Sequence, residues 1–146
     1  MIVSQLQPGH EEVFTVMDYY DGPRKGVANF RGLPHLYECI FDEVKDDYSD
    51  LYRLTPISQR IFELAKEDWA IWERWEAAFH SGKTSIESHP ALPQDRKRHE
   101  EIQAILDSAL TTNTAECATQ RGSFLNEGHP ENVMRQLQVR WTDAEL

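Results

Sequence analysis

The turn signals in the first third of the chain restrict its fold most. Asp21-Gly22-Pro23 and Arg31-Gly32-Leu33-Pro34 punctuate three runs, Glu12–Tyr20, Lys25–Arg31 and His35–Asp42. Glycine permits positive φ and proline stops strand pairing, so each cluster reads as a tight reversal. Strands that reverse this quickly pair antiparallel, because a parallel partner needs a crossover of a dozen residues or more. In the first run both alternating sets carry bulk, Val13, Thr15, Met17 and Tyr19 against Phe14, Val16, Asp18 and Tyr20. That pattern predicts a strand covered on both faces. Gly26 and Ala28 in the second run predict close backbone approach or a bulge. In the third, His35, Tyr37, Cys39 and Phe41 share one face, with Leu36, Glu38 and Ile40 on the other. A polar loop, Glu43–Ser49, leads to a fourth short run, Asp50–Leu54.

The period then changes. Thr55-Pro56 reads as a helix start, with Ser58 as the alternative cap, and Ser81-Gly82 stops the helix near residue 80. Ile61, Ala65, Trp69, Trp72 and Phe79 recur at helical spacing, and Phe62, Leu64 and Trp75 broaden the stripe. Trp69, Trp72 and Trp75 step by three, so they drift around the helix. Unless the helix is enclosed, one of them reaches the surface. Pro90 and Pro93 deny regular structure to residues 81–93. A second helix over about 94–110 opens with wholly polar turns, so its first half should meet solvent or a polar partner. Glu116–Leu125 reads as a strand and Asn126–Pro130 as a turn. Arg135–Trp141 alternates Leu137, Val139 and Trp141 with Gln136, Gln138 and Arg140, as a half-buried antiparallel strand does. The expected fold is α+β. A small bent antiparallel sheet or SH3-like barrel combines N-terminal strands (about 12–54) with a C-terminal hairpin (about 116–141). It packs on helices at about 57–80 and 94–110, within a single domain of residues 11–146. Residues 1–10 are expected as a flexible arm.

Charge narrows the function. Twenty-five acids against fifteen Lys and Arg give a net charge of −10. The excess is spread: ten acids to five bases over 1–56, ten to seven over 57–110, five to three over 111–146. Such a field repels phosphate and argues against nucleic acid; it favours neutral or basic partners. No apolar run approaches a membrane span, and the N-terminus lacks the basic and apolar regions of a signal peptide. Cys39 and Cys117 share no C-x-x-C motif, so both are expected as reduced thiols in a cytoplasmic protein.

Catalytic and cofactor motifs are missing, so no metal or cofactor is expected. No two histidines lie three or four apart on a helix, and His99-Glu100-Glu101 lacks the second histidine of a zinc protease. The Asp42–Asp47 loop lacks the glycine and spacing of a calcium loop. Glycine-rich phosphate loops are absent, and Gly122-Ser123 lacks the flanks of a nucleophile elbow. Cys39, between Tyr37 and Phe41, reads as a core thiol. His35 lies about 13 Å from it along an extended strand.

The densest cluster of unusual residues is Asp18, Tyr19, Tyr20, Asp21, Arg24, Arg31, His35 and Tyr37. Tyrosines beside arginine and carboxylates make recognition surfaces; the same residues also read as a packed edge with ordinary ion pairs. Trp72 and Trp75, interleaved with carboxylates, are a second candidate for binding. Arg96-Lys97-Arg98 is the only basic run, placed where it opposes the helix dipole. The leading expectation is a non-enzymatic protein-interaction or regulatory module with a protein partner, basic by charge complementarity. The alternative is a small-molecule binder or enzyme with a polar pocket around His35 and Tyr37, His35 acting as acid or base. A homo-oligomer joined through the tryptophan helix is the third reading.

Overall fold

A computed structural model of the chain describes residues 6–126 and 137–144. Six strands close into a barrel: β1 (Glu11–Tyr19), β2 (Pro23–Phe30), β3 (Leu33–Asp42), β4 (Asp47–Pro56), β5 (Ala118–Asn126) and β6 (Leu137–Asp143). Each is antiparallel to the next, and Glu11 and Glu12 meet Val139 and Gln138 at the seam between β1 and β6. Two helices, α1 (Gln59–His80) and α2 (Arg96–Ala109), are inserted between β4 and β5. The chain divides into two compact units, residues 1–57 with 112–146, and residues 58–111. The α+β class and the barrel-like sheet expected from the sequence are both present. Of the arm, residues 1–5 lie outside the described residues. His10 N–H donates to the Gln7 carbonyl, and Gln7 N–H donates to Gln138 Oε1 at 2.8 Å. Most of the Asn126–Pro130 turn is also outside.

The turns explain the strand limits. Arg31 and Gly32 both have positive φ, 55° and 76°, and form a two-residue reversal whose twist suits a hairpin. The Glu11 carboxylate accepts both of their N–H groups, at 3.0 and 2.8 Å. The reversal is complete at Gly32. Leu33 and Pro34, expected in the turn, therefore open β3, with Pro34 opposite Asn29. Between β3 and β4, Asp42 Oδ1 accepts the N–H groups of Val44 and Lys45, a side chain standing in for a turn carbonyl.

One expectation fails and another holds in part. Thr55-Pro56 does not start the helix: Thr55 pairs with Leu36 inside the sheet and its Oγ1 accepts Asn113 N–H. Ser58 is the cap, its Oγ accepting Ile61 N–H at 3.2 Å. β1 is covered on both faces only in its middle, where adjacent Thr15 and Val16 are both buried. Register shifts break its pairing with β2, and Met17 is exposed. Adjacent residues are also fully buried in β2 (Val27, Ala28) and β3 (Leu36, Tyr37).

The barrel interior is filled by Tyr37, Tyr52, Phe124 and Trp141, one each from β3, β4, β5 and β6. All six pairs of these rings are in contact, with centroids 5.4 to 6.3 Å apart. Their polar atoms are satisfied. Tyr37 Oη donates to the Thr15 carbonyl, Tyr52 Oη to the Pro23 carbonyl and Trp141 Nε1 to the Asn29 carbonyl. Two glycines make the space. A Cβ on Gly122 would lie 2.6 Å from the Trp141 ring, and one on Gly26 would lie 2.2 Å from the Thr15 carbonyl oxygen.

In the helical unit, Trp75, Ile71, Ile102 and Leu106 are buried. The polar start of α2 meets the polar face of α1. Arg98 forks onto Glu67 at 2.6 and 2.8 Å, and Asp68 holds His99 Nδ1 and Gln103 Nε2, both at 2.7 Å.

Overpacking sets the expected mutational costs. Gly122→Ala should lower stability in urea by about 1–3 kcal/mol. Gly26→Ala should cost more, because its clash is with a backbone carbonyl rather than a movable ring. Removing the cap with Ser58→Ala should cost about 1 kcal/mol.

Candidate functional site

Neighbouring strands run in opposite directions, so the β1–β2 and β3–β4 turns share one end of the barrel and the β2–β3 turn lies at the other. This separates the residues the sequence grouped together. Asp18, Tyr19, Tyr20, Asp21 and Arg24 belong to the first end. Arg31 and His35 belong to the second. There the Arg31 guanidinium lies 4.9 Å above the Phe30 ring. His35 is buried edge-on to the same ring, its Nδ1 2.8 Å from the Leu33 carbonyl. Tyr37 lies between the ends and is a core residue, not a recognition residue: it is fully buried, and desolvation pushes its pKa well up.

Sequence reasoning missed three members of the first end. Tyr48 stands 6.2 Å from Tyr20 and edge-on to Phe41 at 5.2 Å. The Arg24 guanidinium covers the Tyr48 ring at 4.4 Å, a cation–π contact. Val44, at the tip of the β3–β4 turn, is 96% exposed. Phe41 was expected on the face of Cys39. A register shift between Cys39 and Phe41 turns it outward, to 44% exposure. Tyr20 is 69% exposed and Tyr19 43%.

Arg24 organises this end. Its Nε donates to the Tyr20 carbonyl at 2.7 Å, Nη2 to the Asp21 carbonyl at 2.8 Å and Nη1 to Cys39 Sγ at 3.6 Å. The side chain thereby locks the β1–β2 turn, in which Asp21 and Gly22 have positive φ. Burial pushes the Cys39 thiol up in pKa, and the nearby guanidinium only partly opposes this. Tyr52 is pushed up as well, again by burial. Beside Arg24 lies an open cleft of about 370 Å³, walled by Tyr19, Tyr52, Phe124, Leu137 and Asp50. Neither His35 nor Tyr37 lines it. Asp50 is held by Arg121 Nη1, 2.6 Å from both carboxylate oxygens.

The tryptophan candidates part company within the helical unit. Trp75 is buried, stacked on Phe79 at 5.0 Å, with Nε1 donating to Ser88 Oγ at 2.8 Å. Trp72 is half-buried and stacked on Trp69 at 4.7 Å. The basic run is largely engaged internally, Arg98 on Glu67 and Arg96 on the carbonyls of Ser88 and Ala91.

Among the described residues, no group of three or more His, Cys, Asp or Glu is placed to hold a metal ion, and no helix is long and apolar enough to cross a membrane. No protein-family model, curated protein or solved structure matches the chain.

The thiols give a direct check on this geometry. Cys39 is buried with its pKa raised, whereas Cys117 is only half-buried. The thiolate is the reactive form. Iodoacetamide at neutral pH should therefore label Cys117 first, and Cys39 at the rate of unfolding.

Proposed function

We propose that the chain is a protein-interaction module whose contact face is the end of the barrel built from the β1–β2 and β3–β4 turns, and whose partner presents basic side chains. The observation that carries this reading is the company of exposed rings and carboxylates at that end. Tyr19, Tyr20, Phe41 and Val44 are all well exposed there. Residues 17–25 and 40–50 hold seven carboxylates against Arg24, Lys25 and Lys45. Exposed aromatic residues that are already fixed give large contact area at small entropic cost. Arg24, Tyr48 and the Asp42 turn hold them in place. The ring of acids speeds encounter with a basic surface and selects against acidic ones.

Substitutions at the two ends of the barrel separate this reading from simple surface chemistry. Immobilised full chain should capture a protein of basic isoelectric point from native extract, and captured amounts should fall as salt rises. Purified and titrated, that partner should bind Tyr20→Ala and Phe41→Ala at least about fivefold more weakly. Leu33→Ala, at the opposite end, should bind like the parent chain. Equal binding by all three variants, or binding insensitive to salt, would overturn the assignment.

A further inference from the structure

The geometry points to a small-ligand site on the same barrel: the cleft beside Arg24 binds small carboxylic acids that carry an apolar group. The inference does not depend on a protein partner; either can hold without the other. It starts from the way Arg24 is held. Its contacts are all neutral: two backbone carbonyls, the Cys39 sulfur, the Tyr52 hydroxyl and the Tyr48 ring. Arginine has five N–H donors, of which the two carbonyls and the sulfur engage three. Among the described residues no carboxylate lies within ion-pair distance of it. The guanidinium is part-exposed and lines the cleft, so its charge is open to a ligand there.

Among the described residues, the surroundings do not cancel the charge. Burial keeps the Cys39 thiol protonated near neutral pH. Asp50 lines the cleft but is bound through both oxygens by Arg121. Asp21 also lines the cleft, and the atom it offers Arg24 is its carbonyl oxygen. The guanidinium is also fixed, so a ligand need not order it. Its flat array of donors suits a carboxylate. The other wall of the cleft, Tyr52, Phe124 and Leu137, is apolar enough for an aryl or branched alkyl group. Gly22 and Gly122 contribute backbone without side chains. A volume of about 370 Å³ falls in the range of small-molecule sites.

The test is a titration of the ¹⁵N-labelled full chain with phenylacetate, with phenylacetamide as the uncharged match. Phenylacetate should shift the amides of Gly22, Arg24 and Gly122 saturably, and phenylacetamide should not. Arg24→Gln should abolish the shifts. Asp50→Asn removes an exposed charge and frees Arg121, so it should tighten binding roughly twofold to fivefold. Equal binding of the amide, shifts confined to other regions, or unchanged affinity in a folded Arg24→Gln chain would overturn the site. If Arg24→Gln does not fold, Asp50→Asn decides: tighter binding of the acid alone upholds the site, and unchanged or weaker binding rejects it.

Discussion

Four rings from four different strands meet inside the barrel, and the rest of the molecule is arranged around that meeting. Burying Tyr37, Tyr52, Phe124 and Trp141 together supplies apolar contact. Their polar atoms then decide the geometry. Tyr37 reaches across to β1, while Tyr52 and Trp141 reach opposite ends of β2. A hydrogen bond left unmade in such an interior costs more than a made one gains, so these three contacts set register as well as closure. The filling has a functional side too. The four rings occupy the middle of the barrel, and the open cleft lies to one side of them, beside Arg24.

Much of the sheet was legible because its signals are local. Period-two alternation and the glycine-centred reversals located the first four strands, and Leu137, Val139 and Trp141 located the last. A barrel was among the expected sheets, but the register of its closing seam was not legible. It depends on Glu11 and Glu12 meeting Val139 and Gln138, a pairing across more than a hundred residues with no local trace. Thr55-Pro56 shows a different limit. Threonine before proline suits a helix start, but Thr55 is β-branched and finds a strand partner in Leu36, so long-range pairing prevails over the cap.

The candidate face was half legible. Tyr19, Tyr20 and Arg24 were identified because turn residues are exposed and their chemistry suits recognition. Tyr37 looked identical on paper. A buried tyrosine and a surface tyrosine differ only in where the hydroxyl finds its partner, and for Tyr37 that partner is a carbonyl twenty-two residues earlier. Phe41 erred in the other direction, since a single irregularity after Cys39 reverses which face it takes. Alternation assumes an unbroken pleat. Bulges break it, and they occur where strands approach functional rims.

The insertion between β4 and β5 has a topological consequence. Leu54 and Ala118 are register partners, so the chain departs from and rejoins the barrel at neighbouring rungs. Thr112 donates to Glu38, and Asn113 to Thr55, anchoring the return. Seen from the barrel, residues 58–111 are an oversized hairpin loop. Lengthening such a loop adds little closure entropy, because that cost grows only with the logarithm of length. The helical segment is thus a guest at a tolerant doorway. An ordinary short reversal there would leave the staves in the same order, which makes this junction the natural place to graft, trim or exchange a whole module.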